Sequence, residues 1–252
     1  ESNISMPQKW FPGTGTASVT LCGSPVSDVT KLLEATDGWG SRIQQVIALG
    51  WISIGLPQAL GDESLTTEEE LARKLYTSIT VLKALQNYDG SWSYWRGDDS
   101  GDIYTTAQVL HLLSAMKEHG VPVDESMISQ GTRYLRQSLS DEVPADNAAQ
   151  KLDLVGRAYA CYALALCGDA PLGWMNWLID QKTLPADGSA LLSAAWAVAG
   201  DRSKAETILG GKAPSLVDKP NKSWSPALQS LALRLIAHEA IAPGGADARN
   251  DA

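Results

Sequence analysis

The stretch LQNYDGSWSYWRGDDSGDIYTTAQVLHLLSAM, residues 85–116, contains a tight turn, a group of aromatic side chains and the beginning of a helix. The turn is expected at Asp89-Gly90, because glycine adopts positive φ angles without steric cost. A polar loop at 96–102 follows, and apolar residues then recur at helical spacing until Gly120. The stretch therefore predicts a corner that joins two helices.

Three large aromatic residues, Trp92, Tyr94 and Trp95, follow the turn. Each carries a large apolar surface, so we expect the group to pack in the core of the corner. The alternative interpretation is that these rings bind a sugar or a peptide.

Apolar residues at helical spacing continue along most of the chain and predict about nine or ten helices with almost no strand. The predicted helices cover residues 28–34, 41–56, 67–88, 103–119, 124–139, 150–167, 171–182, 188–199, 201–209 and 225–241. The helices that follow Ser41, Ile103 and Gln150 have apolar residues on two sides and should be among the most buried. We predict an all-α fold in which helical pairs close into a ring, an α/α toroid. A straight solenoid of helices is the alternative that the spacing leaves open.

The chain has 252 residues, of which 44% are hydrophobic, and this is enough for one compact toroid domain at 28–241. Residues 1–27, rich in proline, glycine, serine and threonine, are interpreted as a lead-in or linker with a short strand-like segment, and 242–252 as a disordered tail. The sequence opens without a signal-peptide pattern, so we expect a piece of a longer chain. A net charge of −9 argues against nucleic acid or an anionic membrane as partner.

Few residues are candidates for metal binding or catalysis, and we expect no metal and no cofactor. Asp98, Asp99 and Asp102 lack the ligand register of a calcium loop, and a solvated loop is the default interpretation. Catalytic carboxylates of an α/α glycosidase are the alternative. All three histidines are expected to have structural roles: His111, His119 and His238.

The three cysteines have neither the spacing of zinc ligands nor that of a redox pair. Cys161 and Cys167 lie on an apolar helical stripe and are expected to be buried. Cys22 lies in the lead-in and is expected to be accessible.

The corner has two family resemblances. The pattern Gln-x-x-Asp-Gly-Ser-Trp, with Gln86, Asp89, Gly90 and Trp92, is similar to the aromatic corner of α/α toroids such as terpene cyclases and prenyltransferase β-subunits. The longer pattern of a Gly-Ser-Trp corner, a Gly-Asp loop and Tyr-x-Thr-Ala-x-Val-Leu resembles the thioester-containing domain of bacterial α2-macroglobulins. This second resemblance extends over about residues 18–240 and implies a toroid fold.

The thioester motif of that family is absent at the equivalent place. The family has Gly-Cys-x-Glu-Gln, whose Cys and Gln side chains form the thioester, and this chain has Gly38-Trp39-Gly40-Ser41-Arg42. Trp39 stands at the Cys position, Ser41 at the Glu position and Arg42 at the Gln position, and only Gly38 is retained. A shifted alignment on Gln44-Gln45 gains a Gln and still finds no Cys.

A thioester needs a thiolate leaving group and a carboxamide acyl donor, so the resemblance implies a thioester-less member of the family. It implies an endopeptidase inhibitor-like domain, not an enzyme, that contributes to non-covalent protease trapping in a larger protein of the periplasm or cell envelope. Its partners would be proteases, met through the full-length protein, or other envelope proteins, with the fragment itself monomeric. We expect the Trp39 ring to fill the former reactive site, packed against the aromatic corner.

Two other functions stay open. The chain could be an interaction module that docks envelope proteins, or an α/α-toroid enzyme that acts on a glycan or an isoprenoid. A cavity lined by paired carboxylates would favour the enzyme, whereas a filled ring centre would favour the other two hypotheses.

Overall fold

The computed structural model describes residues 42–60, 68–95, 100–144, 147–210 and 226–244. This part of the chain forms nine α-helices and contains no strand. The helices are α1 (Ile43–Leu60), α2 (Glu68–Ala84), α3 (Ile103–Glu118), α4 (Glu125–Ser138), α5 (Asn147–Leu166), α6 (Leu172–Ile179), α7 (Ala186–Val198), α8 (Arg202–Gly210) and α9 (Pro226–Ile241). The all-α prediction is confirmed.

Several predictions concern residues outside the described ranges. They are the lead-in, the helix at 28–34, Cys22, the positions Gly38, Trp39 and Ser41, the acidic residues Asp98 and Asp99, the first residues of the helices predicted at 67–88 and 225–241, and most of the tail.

The helices form two layers. The odd-numbered helices pack on one another in sequence, from α1 through α3, α5 and α7 to α9, and the even-numbered helices pack outside them. One outer helix returns the chain between successive inner helices, so the inner helices run in the same direction. This alternation is the helical-pair arrangement that the sequence predicted.

A hydrogen bond across the row of inner helices distinguishes a ring from a straight stack. Gln229 Nε2 on α9 donates to the Tyr104 hydroxyl on α3 at 3.0 Å, although α5 and α7 lie between these helices in the packing order. Packed helices lie about 8–10 Å apart, so a straight row would separate α3 from α9 by several helix diameters. The row therefore curves back on itself, as an α/α toroid requires.

The inner layer of helices is more buried than the outer layer. The inner helix α3 buries ten of its residues, whereas the outer helix α4 buries four. In α1, Gly50 allows the close approach of α3, since a Cβ atom there would lie 2.7 Å from a methyl carbon of Leu112. The prediction that α1, α3 and α5 are among the buried helices is confirmed. Helix α7 is equally buried, and its small residues from Gly188 to Ala197 let the neighbouring helices approach from all sides.

The helix ends show where local sequence decides structure. Asp124, the first residue of the helix predicted at 124–139, caps α4, with Oδ1 accepting the Ser126 N–H at 2.9 Å. Gly120, which adopts a φ of 74°, lies just beyond α3. Helix α6 is shorter than the predicted 171–182, because the chain leaves the helix after Ile179 and turns toward Pro185. None of the helices in the described part of the chain has both the length and the apolarity needed to cross a bilayer.

A buried arginine fixes the connection from α4 to α5. Arg157 is 1% exposed, and its Nε donates to Asp153 Oδ2 at 2.6 Å. Its terminal nitrogens donate to the backbone carbonyls of Leu139 and Asp141, just after α4. The guanidinium also lies 5.9 Å from the ring centroid of Trp174 on α6. One side chain therefore links three helices and leaves its charge paired, which a buried charge requires.

Aromatic side chains and one histidine pack between α1, α3 and α5. His111 Nδ1 lies 3.0 Å from the Tyr159 hydroxyl, and its Nε2 lies 3.5 Å from the Tyr162 hydroxyl. The Trp51 ring meets the imidazole edge-on at 4.8 Å. Tyr104 adds an edge-on contact with Tyr159 at 5.2 Å. Burial lowers the pKa of His111 to about 4, so the imidazole is neutral at neutral pH. The cluster supports the structural role predicted for this histidine.

The pKa of His111 makes acid stability a test of this cluster. In the unfolded chain the imidazole has a pKa near 6.5, so between pH 6.5 and pH 4 the unfolded state binds more protons than the folded state. The folded state should therefore lose up to about 3 kcal/mol of stability through this group as the pH falls across that window. Urea unfolding of the unaltered chain and of His111→Gln at pH 7.5, 6, 5 and 4 measures the contribution. The variant should show the smaller loss of stability with acid, and parallel pH profiles would contradict the assignment.

The two described cysteines differ in burial. Cys161 is completely buried, and burial raises the pKa of its thiol to about 12. Cys167 is partly exposed, and its Sγ lies 3.6 Å from the Ser114 hydroxyl. Burial also raises the pKa of this thiol.

Thiol labelling should follow this difference, because the thiolate is the reactive form and the reagent must reach it. We expect Cys161 to react with a maleimide only as fast as the chain unfolds, with Cys167 slower than a free cysteine but faster than Cys161. Cys22 should react readily. Peptide mapping by mass spectrometry after timed labelling, with a sample in urea as reference, gives the three rates, and equal fast labelling under native conditions would contradict the burial.

Candidate functional site

The turn of the aromatic corner requires glycine. Gly90 adopts a φ of 95°, and a Cβ atom at this position would lie 2.4 Å from the backbone oxygen of Gln130 on α4. Its N–H donates to the carbonyl oxygen of Asn87 at 2.9 Å, which closes the turn. The glycine thus permits both the turn and the close approach of α4.

The polar residues of the motif hold this turn together. Gln86 Nε2 donates to the carbonyl oxygens of Gly90 and Met127, at 3.0 and 3.1 Å. Asp89 Oδ1 accepts hydrogen bonds from the backbone N–H and the hydroxyl of Ser91, at 2.9 and 2.6 Å. These contacts are internal to the fold and account for Gln86 and Asp89 as structural residues of the corner.

Trp92 is the buried anchor of the corner, with an exposed fraction of 0%. Its indole Nε1 donates to the Leu82 carbonyl near the end of α2 at 2.8 Å, and its backbone N–H donates to the Thr106 hydroxyl on α3 at 3.0 Å. Gly131 on α4 makes room for the ring, since a Cβ atom there would lie 3.0 Å from it. Three helices therefore meet around this one side chain.

The other two aromatic residues lie on the surface, so the prediction that the whole group packs in the core is wrong for them. Tyr94 is 49% exposed and Trp95 is 58% exposed. Their rings meet edge-on, 4.9 Å apart. The Ser93 hydroxyl donates to the Ser100 carbonyl at 2.8 Å and closes the loop beneath them. Trp92 already fills the space between the helices, and the next two aromatic rings are left outside it.

The structure brings the corner together with Arg42, one of the predicted site residues. The Arg42 guanidinium lies 5.9 Å from the ring centroid of Trp95. Arg42 directly precedes α1, and its carbonyl oxygen accepts the N–H groups of Gln45 and Val46 at 3.0 and 3.3 Å. The start of α1 and the corner are therefore neighbours, whereas Trp39, which was expected to pack against the corner, lies outside the described residues.

A further link between α1 and α3 was not predicted from the sequence. Gln44 Nε2 donates to Gln108 Oε1 at 2.8 Å. The two residues are 64 positions apart, and nothing in their local sequence indicates the pairing.

The acidic residue that lies within the described part of the loop has a structural partner. Asp102 Oδ2 accepts the Thr105 N–H at 2.7 Å and caps the start of α3. No group of three or more histidine, cysteine, aspartate or glutamate side chains positioned to hold a metal ion occurs among the described residues.

An open groove of about 440 Å³ runs along α4 beside the end of α5 and contains two carboxylates, Glu125 and Asp169. Glu125 is paired with Lys117, and Asp169 is paired with Arg136. The groove thus lies against an outer helix and both carboxylates are held by cations, which differs from the pair of facing acids that a glycosidase uses.

The different environments of Trp92 and Trp95 give a matched pair of substitutions. Trp92→Ala removes a fully buried ring and the indole hydrogen bond, and should lower the free energy of unfolding by roughly 3 to 5 kcal/mol. Trp95→Ala removes a half-exposed ring and should cost about 1 kcal/mol or less. Chemical denaturation of both variants measures the difference, and equal losses would contradict the assigned roles.

Comparisons with known proteins support the fold. No model of a known protein family matches the chain, and no curated protein sequence matches it. Among solved structures, native α2-macroglobulin from Escherichia coli, spanning domain MG7 to the C-terminus, matches with a TM-score of 0.63 and 19% identity over 85% of this chain and 39% of that one. Salmonella α2-macroglobulin reacted with methylamine matches with a TM-score of 0.67 and 17% identity over 88% of this chain and 15% of that one. Trypsin-activated α2-macroglobulin from E. coli matches with a TM-score of 0.57 and 24% identity over 80% of this chain and 16% of that one.

The chain thus spans well under half the length of these proteins. At identities of 17% to 24%, the similarity concerns the fold. The chain adopts an α/α-toroid fold that is found in the part of bacterial α2-macroglobulins between domain MG7 and the C-terminus.

Proposed function

We propose that the chain is a homologue of the thioester domain, without the thioester, in a bacterial α2-macroglobulin-like protein, and that it contributes to protease trapping without forming a covalent bond. The observation that supports this most directly is the arrangement at the start of α1. A toroid with this fold has its aromatic corner beside Arg42, and Arg42 stands where the family has the acyl-donating Gln.

The side chains of Trp39 and Arg42 limit the mechanism by which the domain could capture a protease. Capture through a thioester breaks the bond between the Cys sulfur and the Gln acyl carbon and transfers the acyl group to a nucleophile of the target. Trp39 supplies no sulfur and Arg42 supplies no acyl carbon, so neither half of that reaction is available. A trap built on this domain acts by enclosing the protease.

The proposal also covers the partners and the cellular location of the longer protein. The longer protein would meet proteases in the periplasm or cell envelope, and the E. coli relative with this fold is activated by trypsin. A second candidate function is an interaction module that docks other envelope proteins. The exposed aromatic residues of the corner, Tyr88, Tyr94 and Trp95, favour it, since tyrosine and tryptophan are enriched at protein interfaces.

The enzyme hypothesis receives less support. The aromatic cluster around His111 packs between three inner helices, and the carboxylate of Asp102 is used as a helix cap. Both arrangements give these side chains structural roles.

A methylamine experiment tests the absence of the thioester. Methylamine cleaves a thioester and stays attached to the Gln acyl carbon, so intact mass spectrometry reports the reaction directly. We expect no added mass on this chain and none on Trp39→Cys, because Arg42 still offers no carboxamide. Salmonella α2-macroglobulin, which reacts with methylamine, is the positive control. A methylamine adduct on the unaltered chain would rule out the thioester-less assignment.

A protease experiment on the full-length protein tests trapping separately. After incubation with trypsin, we expect a complex on size-exclusion chromatography that loses all trypsin on a denaturing gel. The enclosed trypsin should still cleave a small peptide substrate while large protein substrates are protected. Free trypsin with undiminished activity on proteins would contradict the trapping function and leave the docking function as the better explanation.

A further inference from the structure

Two polar side chains on one face of α3 make hydrogen bonds to two other inner helices. The Tyr104 hydroxyl accepts Gln229 Nε2 from α9 at 3.0 Å, and Gln108 Oε1 accepts Gln44 Nε2 from α1 at 2.8 Å. Tyr104 and Gln108 are four positions apart, so they project from the same side of the helix. Because α5 and α7 lie between α3 and α9 in the packing order, the bond to Gln229 crosses the inside of the ring. This side of α3 therefore faces the inside of the ring.

All five inner helices contribute a side chain at the same end of the ring. Gln44, Tyr104 and Asp187 each lie in the first turn of α1, α3 and α7, and Gln229 lies in the first turn of α9. Since the inner helices run in the same direction, these first turns share one end. Tyr159 on α5 meets the Tyr104 ring edge-on at 5.2 Å. The Asp187 carboxylate is close enough to Tyr104 to contribute to its raised pKa, of which burial is the main cause.

Solvent reaches these polar side chains, and their hydrogen-bonding capacity is only partly used. Gln44, Tyr104, Gln108, Asp187 and Gln229 are all partly exposed. A side-chain amide offers two N–H donors and an oxygen with two lone pairs. Within the described part of the chain, the two hydrogen bonds of this group use one donor or one acceptor of each amide. The raised pKa of Tyr104 keeps its hydroxyl protonated, so it can still donate.

We propose that Gln44, Tyr104, Gln108, Asp187 and Gln229 form a binding site for a neutral oligosaccharide, which we call the ring-end site. A sugar hydroxyl both donates and accepts, which suits a group that presents amides, a phenol and a carboxylate side by side. The partly exposed Tyr104 ring offers an apolar surface with a polar edge, which suits the apolar side of a sugar ring.

The charges of the ring-end site exclude an anionic ligand. The group contains the carboxylate of Asp187 and no cationic side chain, so a phosphate or a carboxylate would be repelled without compensation. The proposal concerns binding and goes beyond protease trapping. It rests on the geometry of the ring and holds whether or not the longer protein traps proteases.

The test is a titration of the ¹⁵N-labelled chain with maltotriose, cellotriose and chitotriose, followed by NMR. At least one of these sugars should produce saturable shifts of the side-chain amide resonances of Gln44, Gln108 and Gln229. A blocked trialanine peptide, titrated in parallel, should leave them in place.

Two conservative substitutions and a matched control locate the site. Tyr104→Phe keeps the ring and removes the hydroxyl, and Gln108→Met keeps the length of the side chain and removes the amide. Each should raise the Kd of the sugar by roughly 2- to 10-fold, because one hydrogen bond is lost. Gln137→Met removes an exposed amide from α4 and should leave the Kd unchanged. Thermal unfolding verifies that each variant is folded.

Several results would overturn the ring-end site. They are the absence of saturable shifts with all three sugars, sugar-induced shifts confined to Tyr94 and Trp95 at the corner, and an unchanged Kd in both Tyr104→Phe and Gln108→Met. Shifts caused by the peptide and by none of the sugars would show that the ligand class is wrong. None of these results bears on the methylamine or trypsin experiments.

Discussion

The indole N–H of Trp92, donated to the backbone carbonyl of Leu82, fixes the point where three helices meet. The chain leaves α2, passes through the turn at Gly90 and enters α3, and this ring occupies the space between these helices and α4. Because the side chain is fully buried, its polar N–H must be satisfied, and the Leu82 carbonyl near the end of α2 accepts it. The corner thus combines a large apolar burial with a specific hydrogen bond.

Neighbouring residues of the corner have different roles, because some make contacts inside the fold and others lie on the surface. Trp92, Gln86 and Asp89 make contacts that are internal to the fold. Tyr94 and Trp95 retain about half of their surface. Function at this corner, if it involves recognition, therefore belongs to the two outer rings and to the arginine that contacts one of them.

Much of the fold was predictable because amphipathic stripes and helix caps are local features of the sequence. The cap at Asp124 and the turn at Gly90 are examples in which one or two residue types decide the backbone. Ring closure through Tyr104 and Gln229 was not predictable in this way, because the two residues are 125 positions apart. The exposure of Tyr94 and Trp95 was missed for another reason. Aromatic composition reports the amount of apolar surface and gives no information on which side of the chain it faces.

The two-layer arrangement has an electrostatic consequence. Each helix carries about half of an elementary positive charge at its N-terminus and an equal negative charge at its C-terminus. Because the outer helices run back between the inner ones, the dipoles of the two layers oppose each other, and the partial charges act locally at each helix end. Asp102 at the start of α3 and Asp187 in the first turn of α7 place carboxylates at two of the positive N-termini. The backbone therefore compensates part of the acidic charge at these two helix starts.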